Sequence, residues 1–161
     1  MKIEFEPIGL IHSPFKDLQG MPVQPAGAAG VKGTIVINNE YREGLKDLEG
    51  FSHIILLYFF HRCREFSLQV VPFMDTRPRG LFATRAPKRP NPIGISVVLL
   101  EKITDAVLYI RNVDILDCTP LLDIKPYVPE FDIPSNDGFR VGWLEHVKKD
   151  VEFKRSDGRF K

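Results

Sequence analysis

Residues 93–103, Ile-Gly-Ile-Ser-Val-Val-Leu-Leu-Glu-Lys-Ile, run into a Thr104-Asp105 turn and on into residues 106–116, Ala-Val-Leu-Tyr-Ile-Arg-Asn-Val-Asp-Ile-Leu. Two runs rich in β-branched and aliphatic residues around a short polar turn predict a pair of strands. Outward from this pair the same pattern repeats. Residues 51–61, Phe-Ser-His-Ile-Ile-Leu-Leu-Tyr-Phe-Phe-His, are nearly continuous apolar sequence, which predicts a strand buried on both faces, bracketed by His53 and His61. Residues 31–37 and 66–73 read as further strands, the second ended at Pro72, and residues 121–128 are extended up to Pro129. In residues 2–12, Ile3 and Phe5 alternate with Glu4 and Glu6, a strand period, with Pro7 and Gly9 marking an edge or bulge. Helical spacing occurs at Tyr41, Leu45 and Leu48, so one short helix is predicted over residues 40–48, closing near Gly50. Many short strands with Gly and Pro punctuation predict an all-β barrel or sandwich. No Gly-rich turn links a strand to a helix, which excludes a dinucleotide-binding fingerprint.

The bulk numbers set limits. A chain of 161 residues predicts one domain, and 43% hydrophobic with 27% charged residues is an ordinary globular composition. The longest apolar run, residues 54–60, is far too short to span a membrane, and the alternating N-terminus does not resemble a signal peptide. With 22 basic and 21 acidic residues, a nucleic-acid role must come from local clustering. Cys63 and Cys118 have no metal-ligand spacing and make no disulfide framework. No metal is therefore expected, and a reducing cytoplasm fits. The domain is expected to occupy residues 1–147, with residues 148–161 a charged, loosely ordered tail.

One clustering is strong. Residues 76–96 hold Pro78, Pro87, Pro90 and Pro92 and five cations, Arg77, Arg79, Arg85, Lys88 and Arg89, with no carboxylate between Asp75 and Glu101. Proline fixes φ and removes a donor, so this stretch is a stiff loop, pinned between apolar segments. It suits holding an anion or a nucleic-acid backbone. A second long loop, residues 17–30, carries Gly20, Gly27, Gly30, Pro22 and Pro25. Around Gln24 it could present backbone groups to a ligand, or be a mobile surface loop. Arg85, where apolar sequence meets the stiff loop, suits a carboxylate, or an adenine or ribose acceptor, or a structural pair with Asp75 or Asp117. Asp117 could cap its own turn by accepting from the Thr119 N–H.

Several of these strings together resemble one family. Phe51-Ser-His-Ile, Phe60-His61, Gly80-Leu-Phe-Ala-Thr-Arg85, Arg89-Pro-Asn-Pro-Ile-Gly-Ile-Ser96 and the 117–127 stretch Asp-Cys-Thr-Pro-Leu-Leu-Asp-Ile-Lys-Pro-Tyr look like the TrmO, or TsaA-like, family. The resemblance covers roughly residues 8–129. It implies a dimeric single-sheet β-barrel and an S-adenosylmethionine-dependent enzyme that N6-methylates threonylcarbamoyladenosine beside the tRNA anticodon. It also implies a cofactor site containing Pro25, Ala26, Gly27, His61, Arg62, Arg85, Ile95, Asp114, Ile115, Leu116 and Asp117. Within that site Ile95 would pack on adenine, and Asp114 and Asp117 would take the ammonium or ribose hydroxyls. For the proton lost from N6, Asp117 and His61 are the candidate bases. Asn91 could hydrogen-bond the substrate, or be a turn residue between two prolines. Arg77, Arg79, Lys88 and Arg89 are candidates for tRNA phosphates. The chain departs from the family in two places. It stops at Lys161, where bacterial members usually extend into a second small domain, and it reads Asp-Cys-Thr-Pro where the family usually has Asp-Gly-Thr-Pro. A non-catalytic RNA-binding barrel and an S-adenosylmethionine-binding regulator remain as alternatives.

Overall fold

The computed structural model describes residues 1–133, 138–146 and 152–160. Six antiparallel strands close into a barrel: β1 (Gly9–His12), β2 (Lys32–Ile37), β3 (His53–Phe59), β6 (Ile93–Thr104), β7 (Val107–Arg111) and β8 (Thr119–Pro126). Their order around the barrel is β1-β2-β7-β6-β3-β8, with β8 returning to β1, so no barrel strand is left as an edge. A two-stranded ribbon, β4 (Gln69–Val70) and β5 (Arg79–Gly80), stands outside it. The one described α-helix is a single turn, α1 (Pro129–Asp132).

Period-2 alternation builds the core. Ile11, Ile35, Ile54, Leu56, Val98, Leu108, Ile110 and Leu121 are fully or almost fully buried inside the barrel. Truncating one such residue to Ala costs about 2–5 kcal/mol. The predicted hairpin is the β6–β7 pair, and β7 stops at Arg111 rather than running on to residue 116. Asn112 takes a left-handed backbone, φ 65°, and its side-chain carbonyl accepts from Gly30 N at 2.9 Å. That break turns residues 113–116 inward under the barrel mouth, with Val113, Ile115 and Leu116 buried.

Four further expectations are corrected. β3 alternates between buried residues and half-buried or exposed ones instead of being buried on both faces, because a barrel wall has one interior. The strand at the N-terminus is confined to β1, and residues 1–7 are exposed. The helix over residues 40–48 is replaced by 3-10 turns (Asn39–Leu45 and Leu48–Gly50), separated by Asp47 at φ 66°. None of the first turn is fully buried, and Leu45 and Leu48 pack only partly against the core, too narrow an apolar face to reward an α-helix there. The strand over residues 66–73 shrinks to β4. The end of the chain also differs from a loose tail over its described part. Ser156 exchanges backbone hydrogen bonds with Gly20 and Met21, both 2.8 Å, and Phe160, only 7% exposed, packs edge-on against Phe73.

Candidate active site

Where β6 begins, Gly94 lies opposite Tyr58 of β3. A Cβ on Gly94 would sit 2.3 Å from the Tyr58 ring. Glycine thus lets the phenol fold across β6, next to the register shift between Leu57 and Tyr58. The Tyr58 hydroxyl then reaches Ser96 Oγ at 3.0 Å, and Ser96 Oγ donates to Asp114 Oδ1 at 2.7 Å. Burial pushes the Asp114 carboxyl up to about 6, partly opposed by the Ser96 bond and the Arg85 charge. Burial and the Asp114 charge push the Tyr58 phenol up as well. A hydroxyl chain ending on a carboxylate that is costly to ionise is the arrangement of a binding or catalytic group.

Asp114 faces a cleft of about 720 Å³. The stiff loop forms one wall with Phe82, Arg85 and Arg89, and the 17–30 loop forms another with Met21 and Gln24. Trp143, Ser156, Asp157 and Phe160 close it from the C-terminal side. Arg85 Nη1 donates to Gln24 Oε1 at 3.0 Å, which ties the two loops together across the opening. Ile95 is 52% exposed and lines the cleft, so it is not a core residue. A second, smaller compartment of about 80 Å³ shares Tyr58, Phe60 and Asp114 with the first and is lined by His61, Arg62, Ile115, Leu116 and Thr119.

His61 is held neutral near pH 7, because burial and the neighbouring Arg62 charge lower its pKa. Its tautomer follows from its partner. The Thr119 hydroxyl donates to Leu116 O at 2.7 Å, so toward His61 Nδ1, 3.4 Å away, it can only accept. The Nδ1–H form results, and Nε2 keeps its lone pair.

The remaining sequence candidates separate. Pro25, Ala26 and Gly27 form a 3-10 turn (Pro25–Ala28) directly behind Gln24 and line neither compartment. Asp117 also lines neither. Its carboxylate accepts from Ser13 N at 3.0 Å and Lys16 Nζ at 2.5 Å, and these, the Lys16 ammonium foremost, hold it well below the usual carboxylate range. It braces the start of the 17–30 loop, through Ser13, in place of the predicted bond to Thr119 N–H. Asn91 is exposed, its carbonyl accepting from Ile93 N at 2.8 Å within the turn, and it lines neither compartment. Asp75 pairs with Arg79 at 2.7 Å, not with Arg85, and the Arg79 guanidinium also lies 5.5 Å from the Trp143 ring centre. Arg89 donates from Nη1 to the carbonyls of Thr84, at 3.0 Å, and Ala86, at 3.3 Å. Two of the five loop cations are thus spent inside the loop. Arg77 is exposed and Lys88 half-buried.

Sequence reasoning missed Tyr58, Ser96, Trp143, Asp157 and Phe160. The first two carried a signal: each is the lone hydroxyl within an apolar run, and a buried hydroxyl requires a partner. The C-terminal residues carried none, since their placement depends on long-range packing.

The family model for the tRNA-methyltransferase O N-terminal domain matches residues 10–133. The chain is 55% identical over 160 residues to a probable S-adenosyl-L-methionine-binding protein of Pyrococcus abyssi, covering 99% of this chain and 86% of that one. It is 36% identical over 138 residues to the human tRNA (adenine(37)-N6)-methyltransferase, covering 81% of this chain but 31% of that protein. The crystal structure of TrmO from Pseudomonas aeruginosa superposes with a TM-score of 0.73 at 39% identity, covering 89% of this chain and 63% of that one.

Proposed function

The chain belongs to the TrmO family, and on that premise we propose that it is an S-adenosylmethionine-dependent methyltransferase that N6-methylates threonylcarbamoyladenosine beside the tRNA anticodon. The observation that carries the proposal is the Arg85–Asp114 pair on one cleft with flat apolar walls. A guanidinium and a carboxylate match the carboxylate and ammonium of an amino-acid end, and Ile95 with Phe82 offers apolar surface to an adenine. The residues fit the cofactor, which when bound supplies a methyl group on a sulfonium.

Each residue then has a part. Arg85, already aimed by Gln24, would hold the carboxylate. Asp114, its orientation fixed by the Ser96 and Tyr58 hydroxyls, would take the ammonium. His61 Nε2, unprotonated, accepts the N6 proton. Asp117, stabilised as an anion by Lys16, is a weak base, and it acts by fixing the 17–30 loop. The walls would exclude water and orient the methyl donor and its acceptor, which is most of what methyl transfer asks of a protein. Arg77 and Lys88 at the loop surface meet tRNA phosphates. The proposal includes a cytoplasmic homodimer, which would cover apolar side chains exposed on the barrel such as Phe51 and Phe59. A regulator that binds the cofactor without reaction is the second reading, because the relative covered almost in full carries a binding name alone.

Calorimetry with S-adenosylmethionine tests the cleft. A hydrogen bond to a charged group is worth about 1.5–3 kcal/mol. Arg85→Ala should therefore weaken binding roughly ten- to a hundredfold. Arg85→Lys should recover part of the loss, and melting temperatures should hardly move, since Arg85 is exposed. Undiminished affinity in Arg85→Ala would sink the proposed site.

A further inference from the structure

We propose that His12, Asp117 and Cys118 form a binding site for a divalent transition-metal ion, zinc by donor chemistry, on the outer rim of the barrel and apart from the cleft. The register explains the cluster. Leu10 pairs with Pro120 and Ile11 with Thr119, so one step further His12, the last residue of β1, stands opposite Cys118. Cross-strand partners share a face, and Leu10, like Cys118, is exposed, so this face is the outside of the barrel. Cys118 takes a left-handed backbone, φ 59°, that turns its thiol toward the histidine.

The donors are set for one ion. His12 Nδ1 lies 3.4 Å from Asp117 Oδ1, and Cys118 Sγ lies 3.3 Å from Asp117 Oδ2 and 3.9 Å from His12 Nδ1. Bonds of about 2.3 Å to sulfur and 2.0–2.2 Å to nitrogen and oxygen put tetrahedral ligands roughly 3.3–3.6 Å apart. The carboxylate presents Oδ1 to His12 and Oδ2 to Cys118, so a turn of the Asp117 carboxylate and a rotation of the exposed thiol bring one oxygen and the sulfur to the ion. Imidazole, carboxylate and thiolate together are a zinc donor set. Two anions and a neutral imidazole balance a dication once Cys118 releases its thiol proton to solvent. The fourth position opens to solvent and takes water.

Lys16 is the competitor. Its ammonium holds Asp117 Oδ2 at 2.5 Å, but the side chain is 71% exposed and can swing away when the ion arrives. Backbone N–H of Ser13 on Asp117 Oδ1 stays as an outer support. None of the three ligands lines either compartment, so the ion takes no part in methyl transfer. It clasps the β1–β8 seam, where the barrel closes.

Metal-stripped full-length protein titrated with Co²⁺ tests this. One equivalent should give a thiolate-to-metal charge-transfer band with tetrahedral d–d absorption, and Zn²⁺ should displace it. Cys118→Gly suits the left-handed backbone, keeps the fold and should abolish the band. An outer support alone is worth about 10–100-fold in affinity, and losing a ligand should cost at least as much. Lys16→Gln should tighten Zn²⁺ binding. A Co²⁺ spectrum without the charge-transfer band, or one that persists in Cys118→Gly, would overturn the proposal. Equal Zn²⁺ affinity for wild type and Cys118→Gly would do the same. S-adenosylmethionine affinity should be the same with and without chelator, and a loss on chelation would contradict the separation of the ion from the cleft.

Discussion

At the residue scale, Asp114 is the group on which binding and stability meet. Its folded pKa of about 6 lies above the 3.8 of a free carboxylate, so the native state holds its proton more tightly between those values. The fold is therefore favoured at low pH and loses on the order of 3 kcal/mol as pH rises from 4 to 6. Asp114→Asn keeps an acceptor for Ser96 and removes the buried charge. It should melt higher than wild type at pH 7.5 and level with it near pH 4, and a gap that does not change with pH would contradict the assignment. Cofactor binding has the opposite sign, because an ammonium needs the ionised carboxylate. Wild-type affinity should fall as pH drops through about 6, and in Asp114→Asn it should be weak and flat. Gly94→Ala puts a methyl into the Tyr58 ring, and overpacking of this kind costs about 1–3 kcal/mol, readable as a lower melting temperature. Asp114 was legible only through the family resemblance, which placed it in a cofactor site. That Tyr58 and Ser96 would reach it was not, because it depends on strand register across β3 and β6.

At the element scale, the stiff loop is where sequence and structure agree in kind and differ in detail. Four prolines made its rigidity readable, and the run of cations made it an anion site. A sequence does not say which cations look inward. Arg89 staples the loop through Thr84 O and Ala86 O, and Arg79 is neutralised by Asp75. Arg89→Ala should lower the melting temperature and weaken the cofactor together, because the loop carries Arg85. Arg77→Ala should leave both unchanged and reduce the salt slope of tRNA binding by about one. An Arg77→Ala protein with an unaltered slope would show that this arginine does not meet phosphate. The 40–48 segment shows the reverse limit. Its helical spacing was real, and Leu45 and Leu48 pack partly on the core, but with no fully buried residue in the first turn and a left-handed Asp47 the segment has too little to gain from α-helix.

At the scale of the molecule, alternation and punctuation pointed to an all-β barrel or sandwich, the family resemblance implied the single-sheet barrel, and the six strands do hide their edges by closing. The cleft did not follow. It needs the stiff loop, the 17–30 loop and residues 152–160 together, and the last are joined to the second by Ser156 and anchored by Phe160. Phe160→Ala should loosen the cluster of Val70, Leu81 and Ala86 and weaken the cofactor while the barrel core stays folded, a split that hydrogen exchange can resolve. The most direct measurement is methyl transfer itself. Protein, S-adenosylmethionine and tRNA carrying threonylcarbamoyladenosine are incubated, and the nucleosides are read by mass spectrometry. The expected product is N6-methylated threonylcarbamoyladenosine, strongly reduced with His61→Ala and Arg85→Ala and absent from tRNA lacking the threonylcarbamoyl group. Cofactor binding by the wild-type protein with no methyl on any such tRNA would contradict the enzymatic reading and leave a binding protein.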